Sequence, residues 1–256
     1  MKDRLKGILM LLPLLTGLYL GGPLLYFTAF ILSVLGLHEL YNTFKEHNIK
    51  PISFIGLAFS FSLLIKNLFN LPIYITTIIL FSLFIITALL TINKNFNIVD
   101  FSITYFGIMY ITIPFEAIIA IYESSTHGFK LALLVFVISF STDIFAYLIG
   151  KKFGKRKLIP KVSPNKTVEG SLGAIFCTIL ITTIYCLLIG LNPVIFIPVA
   201  IIGSIFAQIG DLFASSIKRY NEVKDFGALI PGHGGIIDRF DSILFTAPLI
   251  LILFLH

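Results

Sequence analysis

Asp211, Asp238 and Asp241 interrupt or border long apolar runs, with Lys218, Arg219, Lys224 and Arg239 bracketing them. Asp238 and Asp241 are three residues apart, a spacing that puts both carboxylates on one face of a helix. Three carboxylates beside a single adjacent arginine repel one another. A divalent cation removes that repulsion, and an all-oxygen donor set suits magnesium. Magnesium keeps several waters and binds few protein carboxylates together with substrate phosphates, so acids ringed by bases point to a phosphate-bearing substrate. The bases are plentiful: Lys151, Lys152, Lys155, Arg156, Lys157, Lys161 and Lys166 fill one short stretch. Gly232, Gly234 and Gly235 would let backbone N–H groups approach an anion closely, and His233 among them takes a ligand-facing or phosphate-facing role. The stretch GKKFGKRK at 150–157 is not a P-loop, because it lacks the spacing and the terminal Ser or Thr and follows an apolar run.

The elements that must position these groups are membrane helices. Of 256 residues, 57% are hydrophobic and 12% charged, and mean hydropathy is +0.98, whereas a soluble domain carries roughly 25% charged residues. Splitting the chain at charges, prolines and glycines leaves apolar runs near 7–20, 24–41, 53–69, 72–92, 101–122, 131–149, 170–190, 193–212 and 236–255. The expected fold is therefore all-α, a polytopic integral membrane protein of about nine transmembrane helices. The N-terminal spans one to five occupy 1–130 and the catalytic spans six to nine occupy 131–256, as one membrane unit without a separate soluble domain. The first run lacks a small-residue cleavage site and is expected to be a helix rather than a removed leader. Residues 170–210 are too long for one crossing and break at Gly190-Leu191-Asn192-Pro193. Cys177 and Cys186 share one apolar run and are expected to pack without a disulfide.

Orientation follows from the bases, because cytoplasmic loops carry the excess of Lys and Arg. With the N-terminus cytoplasmic, seventeen of nineteen basic residues fall inside, and Lys66 and Lys130 are the exceptions. The net charge of +6 then belongs to one face, where it meets anionic lipid, and no nucleic-acid partner is expected. Under the same topology Glu39, Asp143, Glu169, Asp211, Asp238 and Asp241 reach one level. Ionisable residues in membrane segments are costly and mark a cavity, a pairing partner or a path, so one wet pocket is expected there.

Two stretches resemble a known family. SIKRYNEVKDFGALIPGHGGIIDRFDS (216–242) is similar to the signature of phosphatidate cytidylyltransferases, also called CDP-diacylglycerol synthases, and TDIFAYLIGKKFGKRKLIPKVSPNKTVEG (142–170) resembles the second region typical of that family. The half before residue 140 is similar only in being hydrophobic. The resemblance implies that Asp211 and Asp238 hold a catalytic magnesium, with Asp241 serving the same cluster or a second cation. It implies that Ser216, Lys218, Arg219, Lys224 and His233 line the polar pocket, and that Lys166, Thr167 and Glu169 bind substrate, alongside Asp143, Gly234, Gly235 and Arg239. Val168 stands where relatives carry Trp. The resemblance also implies a homodimer, while the compact chain points to a bacterial plasma membrane and the distribution of Lys and Arg to an active site on its cytoplasmic side.

The family reaction moves CMP from CTP to phosphatidic acid, giving CDP-diacylglycerol and pyrophosphate. Phosphatidate carries an anionic oxygen at neutral pH because a phosphomonoester loses its second proton near pH ~6, so no Ser or Cys nucleophile is required. The reaction does require cancellation of charge between two anions and stabilisation of the leaving pyrophosphate, tasks for magnesium, Lys and Arg. A membrane lipid kinase, or a cytidylyltransferase for another lipid phosphate, would use a similar pocket. A cation-coupled transporter would place its acids at the bilayer midplane between repeats, and these acids cluster at one interface.

Overall fold

The computed structural model describes residues 12–45, 47–93, 96–227 and 234–254. Its helices, in chain order, are α1 (Leu12–Leu20), α2 (Gly22–Lys45), α3 (Ser53–Leu68), α4 (Ile73–Ile92), α5 (Ile98–Glu123), α6 (Gly128–Phe153), α7 (Val168–Ile189), α8 (Pro193–Tyr220) and α9 (Ile237–Phe254). Each apolar run read from the sequence corresponds to one of them. Among the described residues α2, α4, α5, α6, α7 and α8 are long and apolar enough to cross a membrane. The chain is an integral membrane protein. α3 is shorter at 16 residues, and the start of the first run, with the N-terminal tail, lies outside the described residues.

Local chemistry sets the helix boundaries. Asn97 caps α5 by accepting the N–H of Val99 and Asp100, and Asp100 returns a bond to the Asn97 N–H, a reciprocal box that satisfies otherwise orphaned donors. Within α5 one π-helical turn, Ile108–Thr112, interrupts the α geometry. α7 ends at Gly190 with φ +75°, and the Leu191 N–H returns to the Cys186 carbonyl at 2.9 Å. Pro193 then opens α8, which confirms the break expected between 190 and 193.

The chain forms two compact units. The first gathers residues up to Ile119 with Asn221–Arg239. At its centre the Tyr41 hydroxyl donates to the Thr104 carbonyl at 2.7 Å. A Cβ on Gly56 or Gly107 would run into the Tyr41 side chain, so both glycines exist to admit that ring. Lys66 pairs with Glu116 at 2.9 Å, and Asn67 donates to the other Glu116 oxygen at 2.9 Å.

The second unit comprises Ala120–Tyr220 with Phe240 onward. Its helices are joined by hydroxyls: Thr142 meets Thr178 and Ser204, each at 3.0 Å, as membrane helices use polar glue in place of a hydrophobic drive. Lys130 donates to the carbonyl of Ile189 at 2.8 Å, near the C-terminus of α7 where a cation is favoured. Both bases that the positive-inside count left over thus have a local partner.

Two features depart from the sequence reading. The basic stretch between α6 and α7 is not plain loop but an antiparallel hairpin, β1 (Lys157–Ile159) and β2 (Ser163–Thr167), with Lys157 opposite Thr167 and Ile159 opposite Ser163. In addition, α8 runs on to Tyr220, so Asp211, Ser216, Lys218 and Arg219 all lie on helix rather than at its exit.

Candidate active site

The second unit presents its chemistry around the hairpin. Glu169 opens α7 and turns its carboxylate back to accept the N–H of Lys155 at 2.9 Å and of Arg156 at 3.1 Å. The Thr167 hydroxyl caps α7 through the Gly170 N–H at 3.1 Å. From α8, Arg219 donates its Nε to the carbonyl of Val162 in the hairpin turn at 3.3 Å. Glu169 and Arg219, read from sequence as substrate-facing, thus make bonds that shape the basic hairpin.

The hairpin sits on a close helix crossing. A Cβ on Gly170 would come within 2.7 Å of the Ala146 carbonyl oxygen and 2.9 Å of the Gly150 Cα, both backbone atoms that cannot swing aside. Gly170→Ala is therefore expected to destabilise the protein by about 1–3 kcal/mol through overpacking. A lowered thermal midpoint of the purified protein in detergent would show it, and an unchanged midpoint would remove the crossing from the account.

Above the crossing lies a cavity of about 590 Å³. Lys151, Lys155, Lys157 and Lys166 line it together with Asp143 and Asp211, a basic excess that suits a polyanion. Lys166 reaches Asp211 at 2.5 Å, and the two side chains are 23% and 30% exposed, so the pair faces the cavity without being sealed from water. Tyr147, Asn165, Ser171 and Gln208 add neutral polar lining, and the Ser171 hydroxyl donates to the Gln208 carbonyl oxygen.

Asp143, Asp211 and Asp241 come from α6, α8 and α9, and the charge of Asp211 reaches both other carboxylates. The Ser242 hydroxyl stands between two of them, 2.9 Å from Asp143 Oδ2 and 3.4 Å from Asp241 Oδ1. It carries one proton and can donate to one carboxylate at a time. Lys218, seven residues on from Asp211 along α8, supplies positive charge that reaches Asp241. Among the described residues no group of three His, Cys, Asp or Glu side chains is gathered tightly enough to chelate a metal. The donors present are carboxylate and hydroxyl oxygens, the chemistry magnesium accepts when waters and phosphates complete its shell.

In the first unit Asp238 uses Oδ2 to accept the N–H of Phe226 at 2.9 Å and of Gly235 at 3.0 Å. The Gly235 N–H, expected to meet a substrate anion, here meets a carboxylate of the chain itself. Gly234 has φ +76°, a left-handed conformation that glycine adopts freely. Lys224 is exposed, Arg239 is half-buried, and His233 and Gly232 lie outside the described residues.

Of the residues expected from sequence, the structure brings Asp143, Lys166, Thr167 and Asp211 to the cavity, with Asp241 within electrostatic reach of its acids. Ser216, Lys218 and Arg219 share α8 with Asp211 but do not line the cavity. Sequence reasoning missed Ser171, Gln208 and Ser242. Neutral polar residues inside apolar runs carry no charge signal, although Ser242 adjoins an aspartate that did.

A helical membrane protein whose basic cavity also presents carboxylates has a site suited to phosphate-bearing ligands. Residues 3–256 match the model of the cytidylyltransferase family. The chain is 37% identical over 261 residues to the phosphatidate cytidylyltransferase of Staphylococcus aureus (strain COL), covering 98% of each chain. It is 36% identical over 260 residues to that of Staphylococcus haemolyticus (strain JCSC1435), again over 98% of each. The chain belongs to the cytidylyltransferase family and is a nucleotidyltransferase.

Proposed function

We propose that this chain transfers CMP from CTP to phosphatidic acid, forming CDP-diacylglycerol and pyrophosphate for phospholipid synthesis. The observation that carries this reading is the Lys166–Asp211 pair in the wall of a cavity bordered by four lysines. Relatives bearing the name phosphatidate cytidylyltransferase along nearly the whole chain support the choice of acceptor. An oxygen of the phosphatidate phosphate bonds to the α-phosphorus of CTP as the bond from that phosphorus to the β-bridging oxygen breaks. Pyrophosphate leaves with the electron pair, so no covalent enzyme intermediate enters.

The chain's own groups divide the work. Lys166, with Lys151, Lys155 and Lys157, gathers the triphosphate and meets the charge on the leaving pyrophosphate. Glu169, Thr167 and Arg219 keep in place the hairpin that carries Lys157 and Lys166. Asp211, Asp241 and, by the family resemblance, Asp238 would serve magnesium, and a second cation would use the same carboxylates; the Ser242 hydroxyl bonds Asp143. Magnesium bound there would neutralise phosphate oxygens and lower the repulsion between the two anionic substrates.

The cavity faces the cytoplasm of a bacterium, across its plasma membrane, in this reading. Seventeen of nineteen basic residues on one side support that orientation. Phosphatidate arrives laterally from the bilayer, and two copies of the chain assemble as a homodimer. The testing experiment incubates purified protein with phosphatidate and CTP labelled at either the α or the γ phosphorus. Label from the α position in lipid is the expected result; label in lipid from the γ position alone would identify a lipid kinase.

A further inference from the structure

Glu39 lies on α2, far in sequence from every motif, yet it is only 5% exposed. Its Oε1 accepts the N–H of Ile236 at 3.0 Å and its Oε2 that of Ile237 at 3.2 Å. These donors belong to the start of α9, where unsatisfied N–H groups and the helix dipole favour an anion. Two glycines make room for it. A Cβ on Gly235 would collide with the Glu39 carboxylate, and one on Gly227 would lie 2.8 Å from Glu39 Oε1. One turn along α2, the Thr43 hydroxyl bonds the Glu39 carbonyl at 2.9 Å and approaches the carbonyl of Phe226 at 3.5 Å. Asp238 ties the same segments from the other side, through the N–H of Phe226 and Gly235.

We infer that Glu39 is a positioning residue for the reaction: its bidentate hold on the first turn of α9 fixes the carboxylates of Asp238 and Asp241, and through them the affinity for the cation. The inference rests on the proposed role of those two aspartates. Glu39 touches no substrate in this assignment. Its carboxylate charge matters because both oxygens must accept, whereas an amide of equal size turns one acceptor into a donor facing another N–H.

The test uses the full-length purified protein and the variants Glu39→Gln, Glu39→Asp, Gly235→Ala, Glu39→Ser and the double variant Glu39→Ser with Gly235→Ala. Manganese binding is followed by electron paramagnetic resonance without substrates, and turnover is measured across a magnesium titration. Groups that orient metal ligands typically change affinity or activity by about 10–100-fold. Glu39→Gln is expected to weaken manganese binding and raise half-saturating magnesium by about tenfold or more, with the KM for CTP within about twofold because the lysine-lined cavity is untouched. Glu39→Asp, which keeps the charge on a shorter arm, should fall between Gln and wild type.

Should Glu39→Gln fail to accumulate, the glycine pair decides. Gly235→Ala alone should mimic loss of the carboxylate's hold, and in the Glu39→Ser background it should add nothing further, since the obstacle is gone. Wild-type manganese affinity in Glu39→Gln, or full additivity of the Ser and Ala substitutions, overturns the inference. A wild-type protein that binds manganese but transfers no CMP would instead reject the proposed reaction, while the manganese titration still decides the role of Glu39.

Discussion

Asp241→Asn and Asp211→Asn are each expected to lower turnover about 10³-fold, the effect of losing several kcal/mol of charge stabilisation at a metal site. Asn keeps the shape of Asp and replaces one acceptor oxygen with a donor, so it removes the charge that a cation needs. Stability should move the other way. Asp143, Asp211 and Asp241 repel one another across the α6, α8 and α9 contributions to the second unit. Neutralising Asp241 relieves that repulsion, so its thermal midpoint should hold or rise, on a scale of about 2–4 °C per kcal/mol for chains near this size. A variant that is inactive and no less stable is the signature of a residue kept for function at the expense of the fold. Asp238→Asn should share the loss of turnover. Near-wild-type rates in any of the three would remove that carboxylate from the mechanism.

Lys166→Ala is expected to raise the KM for CTP about 10- to 100-fold, the range for losing a hydrogen bond between charged partners, and to leave the KM for phosphatidate within about twofold. Lys166 is the cavity lysine that contacts a carboxylate directly, at 2.5 Å from Asp211. It therefore answers to both the triphosphate and the acidic cluster, and its removal also leaves the Asp211 charge uncompensated. Kinetics at fixed saturating phosphatidate with CTP varied separate the two substrates. An unchanged apparent affinity for CTP would reject the phosphate-binding role of the hairpin.

The helices were legible because a residue that breaks an apolar run in a membrane protein is costly wherever it falls. Gly190 to Pro193 marked the α7–α8 boundary for that reason, and the structure places the left-handed cap and the proline there. The hairpin was not legible. Residues 150–169 are too basic and too short of alternating apolar positions to read as strands, and β1 and β2 depend on Glu169 and Arg219 holding the chain from either side. Reading spans by hydropathy also stopped α8 at its first charge, although Asp211 to Tyr220 continues one helix. Helix continuation depends on backbone bonds and not on apolarity.

For the site, the charges announced themselves and their partners did not. Asp143 and Asp211 could be picked from sequence because a carboxylate in an apolar run asks for a reason, and Lys166 because it belongs to the basic stretch 151–166. That Ser242 would stand between Asp143 and Asp241, or that Glu39 would grip Ile236 and Ile237 from almost 200 residues away, is tertiary information. Gly235 illustrates the difference. From sequence its missing side chain reads as room for a phosphate, and in the structure the room is taken by the Glu39 carboxylate.

The most direct measurement of the central claim is transfer of α-labelled phosphate from CTP to phosphatidate by purified protein, first in excess chelator and then with magnesium restored. The account predicts no labelled lipid in chelator, recovery on adding magnesium, and no such recovery in Asp211→Asn. Full transfer in chelator, or recovery in Asp211→Asn equal to wild type, would contradict it.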